Sequence, residues 1–486
     1  MIRFSLRVPL AWRKDPGLGT EEHSSFTCSR PAFPPSKRYS APTMPPQEPA
    51  AQRRVRTATV LLVIGRLWGS ACTFSYLWLL ARALDGADFG RFTFYLAVFM
   101  LLDSWVDLGT GAIAVQRTAS APQKIPETLC ATRAIRAVTG VIGVLVVGGG
   151  AFLAGEKGAG WILLASFYPL THVLELSATV YKNNMAWATP VAIRALASGI
   201  GLLCVLALLS QGVDEGALYL VGIALGSASA NFALHFAARR HLARVRVPRI
   251  LWRSVLRAAL PLGLAGLCQQ TYFYVDNLFV RAFEGQVAVG HYNIAVRLMS
   301  LAIMVGVFAA MVALPWYRRE YARGELGPAV RRQAQPMFAV AGLVLGLFFF
   351  FCEELLGIFG AQFTEAASSL RWLLGAATLV YMGANLLTAV VATGRTLAVL
   401  AIASLGLATN LAGNAWLLPK HGMQGAAIAT FMTEGVVAVG ALVALASGGV
   451  AGLGGRAALG WLGGPAGFCV GCAVSFGLRA LVGGAA

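Results

Sequence analysis

The sequence predicts an all-α polytopic membrane protein with 12 core spanning helices in two parallel-repeat six-helix bundles, plus one or two helices at the carboxyl end. Three observations predict it. Of the 486 residues, 57% are hydrophobic and 12% charged, whereas soluble domains carry about a quarter charged. Apolar runs near 20 residues, long enough to cross a ~30 Å hydrocarbon core as helices, recur along the chain. The cations gather in every second gap between those runs, as retention of Lys and Arg on the cytoplasmic side requires.

The elements follow in order. Residues 1–56 are rich in Pro, Ser and Arg, lack a sustained apolar core and are expected to be a disordered cytoplasmic tail. A transit peptide is opposed by Asp15, Glu21 and Glu22, and Met44 is an alternative start. Spans are expected at 58–81 and 92–115, joined by an outer gap with Asp85 and Asp88. An inner gap with Arg117, Lys124, Arg133 and Arg136 leads to 134–154, an outer gap with Glu156 to 160–180, and an inner gap with Lys182 to 186–209. Asp214 and Glu215 precede 216–238, and the basic stretch from Arg239 to Arg257 precedes 256–279. Spans 291–314, 336–352, 371–392, 396–418 and 424–446 complete the twelve, with Arg318 to Arg332 on the inner side and Glu353 and Glu354 on the outer. A Gly-rich tail, 457–482, supplies a thirteenth and leaves a broken fourteenth open. The domains are accordingly 1–56, a lobe at 57–238, a basic cytoplasmic linker at 239–255, a lobe at 256–446, and 447–486.

Net charge +18 and pI ≈ 10.0 invite a nucleic-acid reading, but the cations lie in the gaps where membrane topology wants them. No nucleic-acid partner is expected. Cys28, Cys72, Cys130, Cys204, Cys268, Cys352, Cys469 and Cys472 are scattered. The Cys469–Cys472 pair sits in an apolar Gly-rich run without a second pair or histidines, so helix packing is its reading and no metal or cofactor is expected.

RALDGADFGRF (82–92) and RAFEGQVAVGHY (281–292) repeat one pattern. GVDEGAL (212–218) and GMQGAA (422–427) echo more weakly, with the same offset of six helices. An even offset preserves orientation, which predicts parallel repeats about an axis along the membrane normal. Both copies of the longer phrase read as outer turns left by duplication of a lobe. Gly90 and Gly290 are expected to allow a tight turn into the following span.

Polar groups inside spans are costly and face a partner or a wet cavity. Arg66 with Gly69, Ser70 and Thr73 forms one stripe on the first helix, and Asn293, Arg297 and Ser300 repeat it on the eighth. Arg194 precedes Ser198 and Gly201 on the fifth. Gln269, Tyr272 and Asp276 share a face of the seventh; Asp103, Asp107 and Thr110 share one on the second. His172 and Glu175 lie on the fourth, Glu434 on the twelfth. The arginines either snorkel to the surface or face a cavity. Asp107 and Asp276 are placed near the outer ends of their helices, to cap, pair or titrate there. Asn410 and Asn414 are expected to bond between helices. The chain carries no GxxxxGK[ST], HExxH or GxSxG, which disfavours nucleotide binding through a P-loop and bulk catalysis.

The phrases ARALDGADFGRFTF (81–94), DLGTGAIAVQR (107–117), VDNLFVRAFEGQVAVGHYNIAVRL (275–298), FGAQFTEAASSLRWLLGA (359–376), ATGR (392–395) and LATNLAGNAWLLPKHGMQGAAIATFMTEG (407–435) together resemble the lipid-linked oligosaccharide flippases of O-antigen type. These polysaccharide exporters belong to the multidrug/oligosaccharidyl-lipid/polysaccharide superfamily. The resemblance implies two six-helix bundles in a V around a cationic cavity, and alternating access in a bacterial inner membrane with the amino terminus cytoplasmic. The cavity would accept the pyrophosphate and glycan of a polyprenyl lipid. Arg66, Arg194 and Arg297, carried over by position in the bundle, and Ser70, Thr73 and Asn293, on the same polar stripes, are the substrate-cavity candidates. Asp107, Glu175 and Asp276 are the candidates for coupling to an ion. The expected partners are the lipid-linked glycan, the bilayer, and a glycan polymerase or glycosyltransferases. Two other readings stand beside this one: an ion-coupled drug/cation antiporter of the superfamily, whose cavity should be acidic, and a non-transporting scaffold in a glycan-assembly complex.

Overall fold

The computed structural model describes residues 49–119, 124–183, 186–239, 249–452, 469–472 and 474–475. The expected tail to residue 48, the middle of the basic linker and most of 457–482 lie outside the described residues. Every secondary-structure element described is helical. Among the described residues ten stretches are long and apolar enough to cross a membrane, and two of these, Leu251–Ala322 of 72 residues and Thr396–Ser447 of 52, far exceed the ~20 residues of one crossing. Each is bent at a glycine with non-helical backbone, Gly285 (φ 85°) and Gly422 (φ 57°). Divided there, the stretches number twelve.

We label them α1 (Val60–Ala83), α2 (Gly86–Thr118), α3 (Ile125–Leu153), α4 (Ala159–Asn183), α5 (Ala188–Ser210), α6 (Gly216–Ala238), α7 (251–284), α8 (286–322), α9 (Leu326–Gly357), α10 (Ala361–Ala392), α11 (396–421) and α12 (423–447). The helix carrying α1 begins at Pro49, inside the stretch expected to be unstructured. α3 begins at Ile125 rather than 134, with Pro126 and Glu127 in its first turn, where a ring without N–H and an anion both suit a helix start.

Lipid is as apolar as a leucine side chain, so close backbone approach and internal hydrogen bonds hold spans together better than apolar burial. Glycine permits that approach. A Cβ at Gly226 of α6 would lie 2.8 Å from the Ala197 carbonyl oxygen of α5, and one at Gly222 would lie 3.0 Å from Cys204 Cβ. The GxxxG at 222–226 is thus a packing face. The largest buried cluster joins both halves, setting Leu80, Phe89 and Phe92 against Tyr292, Phe359 and Leu370.

Three first-half helices are irregular. α2 breaks at Leu108 (φ 41°) and Gly109 (φ 74°), Leu108 being the one positive-φ residue other than glycine among those described. α3 holds a π turn at Leu145–Gly149. α4 alternates between short α and 3-10 pieces from Ala159 to Asn183. Turns of this kind inside a span free backbone groups for other partners and often mark hinges.

Candidate functional site

The break in α2 builds the first site. Asp107 ends the upper piece, and its carboxylate accepts from the Gly111 amide at 3.0 Å in the first turn of the lower piece. Freed helix-end amides need such an acceptor. Asp107 therefore lies at a mid-helix break, not near the outer end of its helix as expected.

Arg136 of α3 fills the break. It is buried, and its guanidinium uses every nitrogen: Nε donates to Thr110 Oγ1 at 2.9 Å, Nη1 to the His172 carbonyl at 2.9 Å and to Glu175 at 3.1 Å, and Nη2 to Asp107. The sequence placed this arginine in an inner gap. It belongs to the core because α3 starts a full two turns earlier.

Glu175 of α4 joins Arg136 to Arg194 of α5, and its Oε2 stands 2.9 Å from His172 Nδ1. The other ring nitrogen, Nε2, stands 3.2 Å from Asp103 of α2, to which Tyr168 also donates. Three carboxylates, two guanidiniums and one imidazole thus share a cluster inside the first half. Asp107, Glu175 and Arg194 come together here, although the sequence assigned them to two different roles. Asp103 and His172 were singled out within their spans without a role, whereas Arg136 and Tyr168 were missed; the i, i+4 pair Tyr168–His172 and the i, i+3 pair His172–Glu175 on α4 were the available signal.

The second site is in the other half. Asp276 is buried, and its carboxylate accepts from Tyr292 Oη, Thr430 Oγ1 and Asn414 Nδ2, each at 2.7 Å. Rather than capping a helix end, Asp276 ties α7 to α8, α11 and α12. Asn414 supplies the expected interhelical bond, whereas Asn410 accepts from Asn414 within α11. All partners are neutral, in contrast to the first half. Asp276→Ala would strand three donors, each costing about 1–3 kcal/mol. We expect D276A to lower thermal stability in detergent strongly and D276N to lower it by less than half as much. Equal melting temperatures for D276A and wild type would contradict this bonding.

Between the halves lies a cavity of about 310 Å³, walled by Asp107, Leu262, Gln269, Tyr272, Val391 and Val437. A narrower crevice nearer the predicted outer end is lined by Thr93 of α2, Tyr274 of α7, and Asn293, Arg297 and Ser300 of α8. Asn293 donates to Asn277 at 2.5 Å. Among the described residues Arg297 has no carboxylate within 4 Å. On α1, Arg66 is exposed and lies 5.8 Å over the Phe308 ring of α8; Ser70 points to Met304, and Thr73 is half-buried beside Tyr76. The first helix thus faces the eighth across the seam. Glu434 is buried near Tyr272. No group of three or more His, Cys, Asp or Glu able to hold a metal occurs among the described residues.

The repeated phrases meet at the predicted outer end. A Cβ at Gly90 would overlap the Gln286 carbonyl, and one at Gly290 would lie 3.4 Å from the Gly90 Cα. Both glycines have helical φ and sit inside α2 and α8, so they are contact residues and not turn residues. The positive-φ glycine of the second phrase is Gly285. Around this contact Glu156 pairs with Arg281 across the halves and lies 3.9 Å from Arg91. Lys157 bonds Asp88 at 2.5 Å, which raises its ammonium above the ordinary range. Phe89 and Phe359 each pack on Phe363.

The profile of the family described as "Polysaccharide biosynthesis protein" matches residues 56–319. The lipid II flippase MurJ in an inward closed conformation superposes with a TM-score of 0.66 at 12% identity, covering 88% of this chain and 99% of that one. An inward-facing multidrug resistance MATE family transporter of the MOP superfamily gives 0.63 at 16% identity, covering 80% and 97%. An outward-facing multidrug resistance MATE family transporter of the MOP superfamily gives 0.60 at 15%, covering 80% and 95%. At these identities the likeness is one of fold. No protein of curated function matches the sequence.

Proposed function

Because the chain belongs to the polysaccharide biosynthesis protein family, we propose that it is a flippase carrying a polyprenyl-pyrophosphate-linked oligosaccharide from the inner to the outer leaflet of a bacterial inner membrane. The observation that carries this is Arg297. Arg136 and Arg194 are neutralised by Asp107 and Glu175, whereas Arg297 borders the inter-lobe crevice without a carboxylate within 4 Å among the described residues. A guanidinium held in a membrane interior takes an anion, and its fork matches phosphate oxygens. Arg66, at the α1–α8 seam, would meet the same headgroup on its way in. An acidic cavity, as a cation antiporter needs, finds no support in this crevice.

The protein acts as a carrier, not as an enzyme. It would work with the glycosyltransferases or polymerase that make and use the glycan, and its amino terminus would lie in the cytoplasm. The lobes rock about the glycine seam, driven by an ion gradient or by the membrane potential, worth about 2.3 kcal/mol per charge per 100 mV. Asp107, Glu175 and Asp276 are the acids that would couple to it.

A charge-assisted hydrogen bond contributes about 1.5–3 kcal/mol. Arg297→Ala is therefore expected to lower export at least tenfold at equal protein level, with Arg297→Lys between. The readout is lipid-linked glycan retained on the cytoplasmic leaflet of a deletion strain carrying each variant. Undiminished export by R297A would remove the ground for an anionic headgroup in this crevice.

A further inference from the structure

We propose that His172 is the proton carrier of the transport cycle, its imidazole taking up and releasing one proton between Asp103 of α2 and Glu175 of α4. This rests on the transporter reading above and names the coupling ion for it.

The first ground is the charge balance of the cluster. Its fixed charges are the carboxylates of Asp103, Asp107 and Glu175 and the guanidiniums of Arg136 and Arg194. They sum to one negative charge with a neutral ring and to zero with a protonated one. An uncompensated charge inside the bilayer is costly, and imidazole is the side chain whose unperturbed pKa lies closest to neutrality.

The second ground is placement of the ring's two nitrogens. Nδ1 faces Glu175 at 2.9 Å and Nε2 faces Asp103 at 3.2 Å. A protonated ring bonds Glu175 and is held to Asp103 by charge, which ties α2 to α4. A neutral ring donates to one and releases the other. The step is a simple proton transfer: an N–H bond forms with a proton taken from water on one side and breaks by returning it to water on the other.

The third ground is that the ring sits where movement is already built in. α4 changes from a 3-10 turn to an α turn at His172 and back after Glu175. α2 is broken one turn below Asp103, and that break rests on the other half: a Cβ at Gly263 of α7 would overlap the Leu108 carbonyl. Asp107, sharing Arg136 with Glu175, lines the 310 Å³ cavity. The ring is thus linked to the cavity through Glu175, Arg136 and Asp107, and to the seam through Asp103 and the broken end of α2.

The other charged or titratable groups about the ring are accounted for. Arg133 of α3 bonds the Val173 carbonyl, Ser177 and, at 3.4 Å, His235 of α6. Tyr168 bonds Asp103, and Lys182 stands near the inner end of α4 beyond Glu175 and Arg194. In the second half Asp276 has only neutral donors about it, so no comparable pair of acids flanks a base there.

The test uses full-length protein in phosphatidylethanolamine and phosphatidylglycerol vesicles on a solid-supported membrane, with pH jumps and no glycan. Wild type should give a transient charge displacement, His172→Gln should lose it, and His421→Gln, altering an exposed histidine, should keep it. Asp103→Asn should keep the signal but lower its midpoint by about one pH unit, because a neighbouring carboxylate favours the charged ring. No displacement in wild type, full displacement in H172Q, or an unmoved midpoint in D103N would each overturn the proposal. If H172Q is not monodisperse, the D103N midpoint decides alone. Since no glycan is present, failure of the flippase reading shows separately, as unchanged export in R297A.

Discussion

Replacing Arg136 by alanine is expected to destabilise the protein by about 3 kcal/mol or more, the largest effect of any single truncation in the first half. The side chain is 4% exposed and neutralises Asp107 and Glu175 together. Its loss leaves Asp107 without its cation and Glu175 with Arg194 alone, and strips the Thr110 hydroxyl and the His172 carbonyl of their donor. Asp107 is 40% exposed, so water reaching it holds the cost toward the lower end of the 3–5 kcal/mol typical of a broken buried pair. The measurement is thermal unfolding in detergent followed by size exclusion. Arg136→Lys should recover only part, since an ammonium cannot serve four acceptors in the plane of a guanidinium. Adding Asp107→Ala to R136A should be less damaging than the sum of the two changes. If R136A melts with wild type, Arg136 is not the hub described.

Gly90→Val is expected to abolish transport by holding the predicted outer seam open. The obstacle at Gly90 is the Gln286 main-chain carbonyl, with the Gln286 Cα 3.4 Å from the added Cβ. Main chain inside a helix cannot move aside as the tip of a flexible side chain can. A cysteine placed at Ser300, in the crevice beneath the seam, should react several-fold faster with an impermeant maleimide in the G90V protein than in wild type. Gly199→Val is the control, because a Cβ there meets nothing within 4 Å. Equal labelling in G90V and wild type would mean that the seam accommodates the side chain and that the glycine contact does not close it.

The twelve spans were legible because their signal is local: an apolar run of the right length says the same thing wherever it lies in a fold. Their limits were less so. α3 was started at 134, which put Arg136 in a gap, although Lys124-Ile125-Pro126-Glu127 carries the usual marks of a helix start. From Ile125 to Arg136 is about 16 Å of helix, enough to bring a surface cation to the core. The break in α2 had a signal too, Asp107 and Gly109 around Leu108, which reads as a helix end. The hydropathy of the whole run masked it. The association of Asp276 with Asn414 and Thr430, across sequence separations of 138 and 154, had no local trace, because only the packing of α7 on α11 and α12 creates it. The Arg66 and Arg297 stripes were legible as faces, but what each face met was not.

The glycine seam also bears on descent. Gly90 and Gly290 occupy matching places in the two copies of one phrase, and they touch each other. Equivalent residues of a repeat meet in this way only beside the axis that relates the copies, which is the signature of an isologous interface. A chain of half this length could have made the same contact with a second copy of itself. In a single chain the two halves differ, one holding Asp103, His172, Glu175 and Arg136 and the other neutral bonds about Asp276, an asymmetry that an identical pair of subunits could not carry.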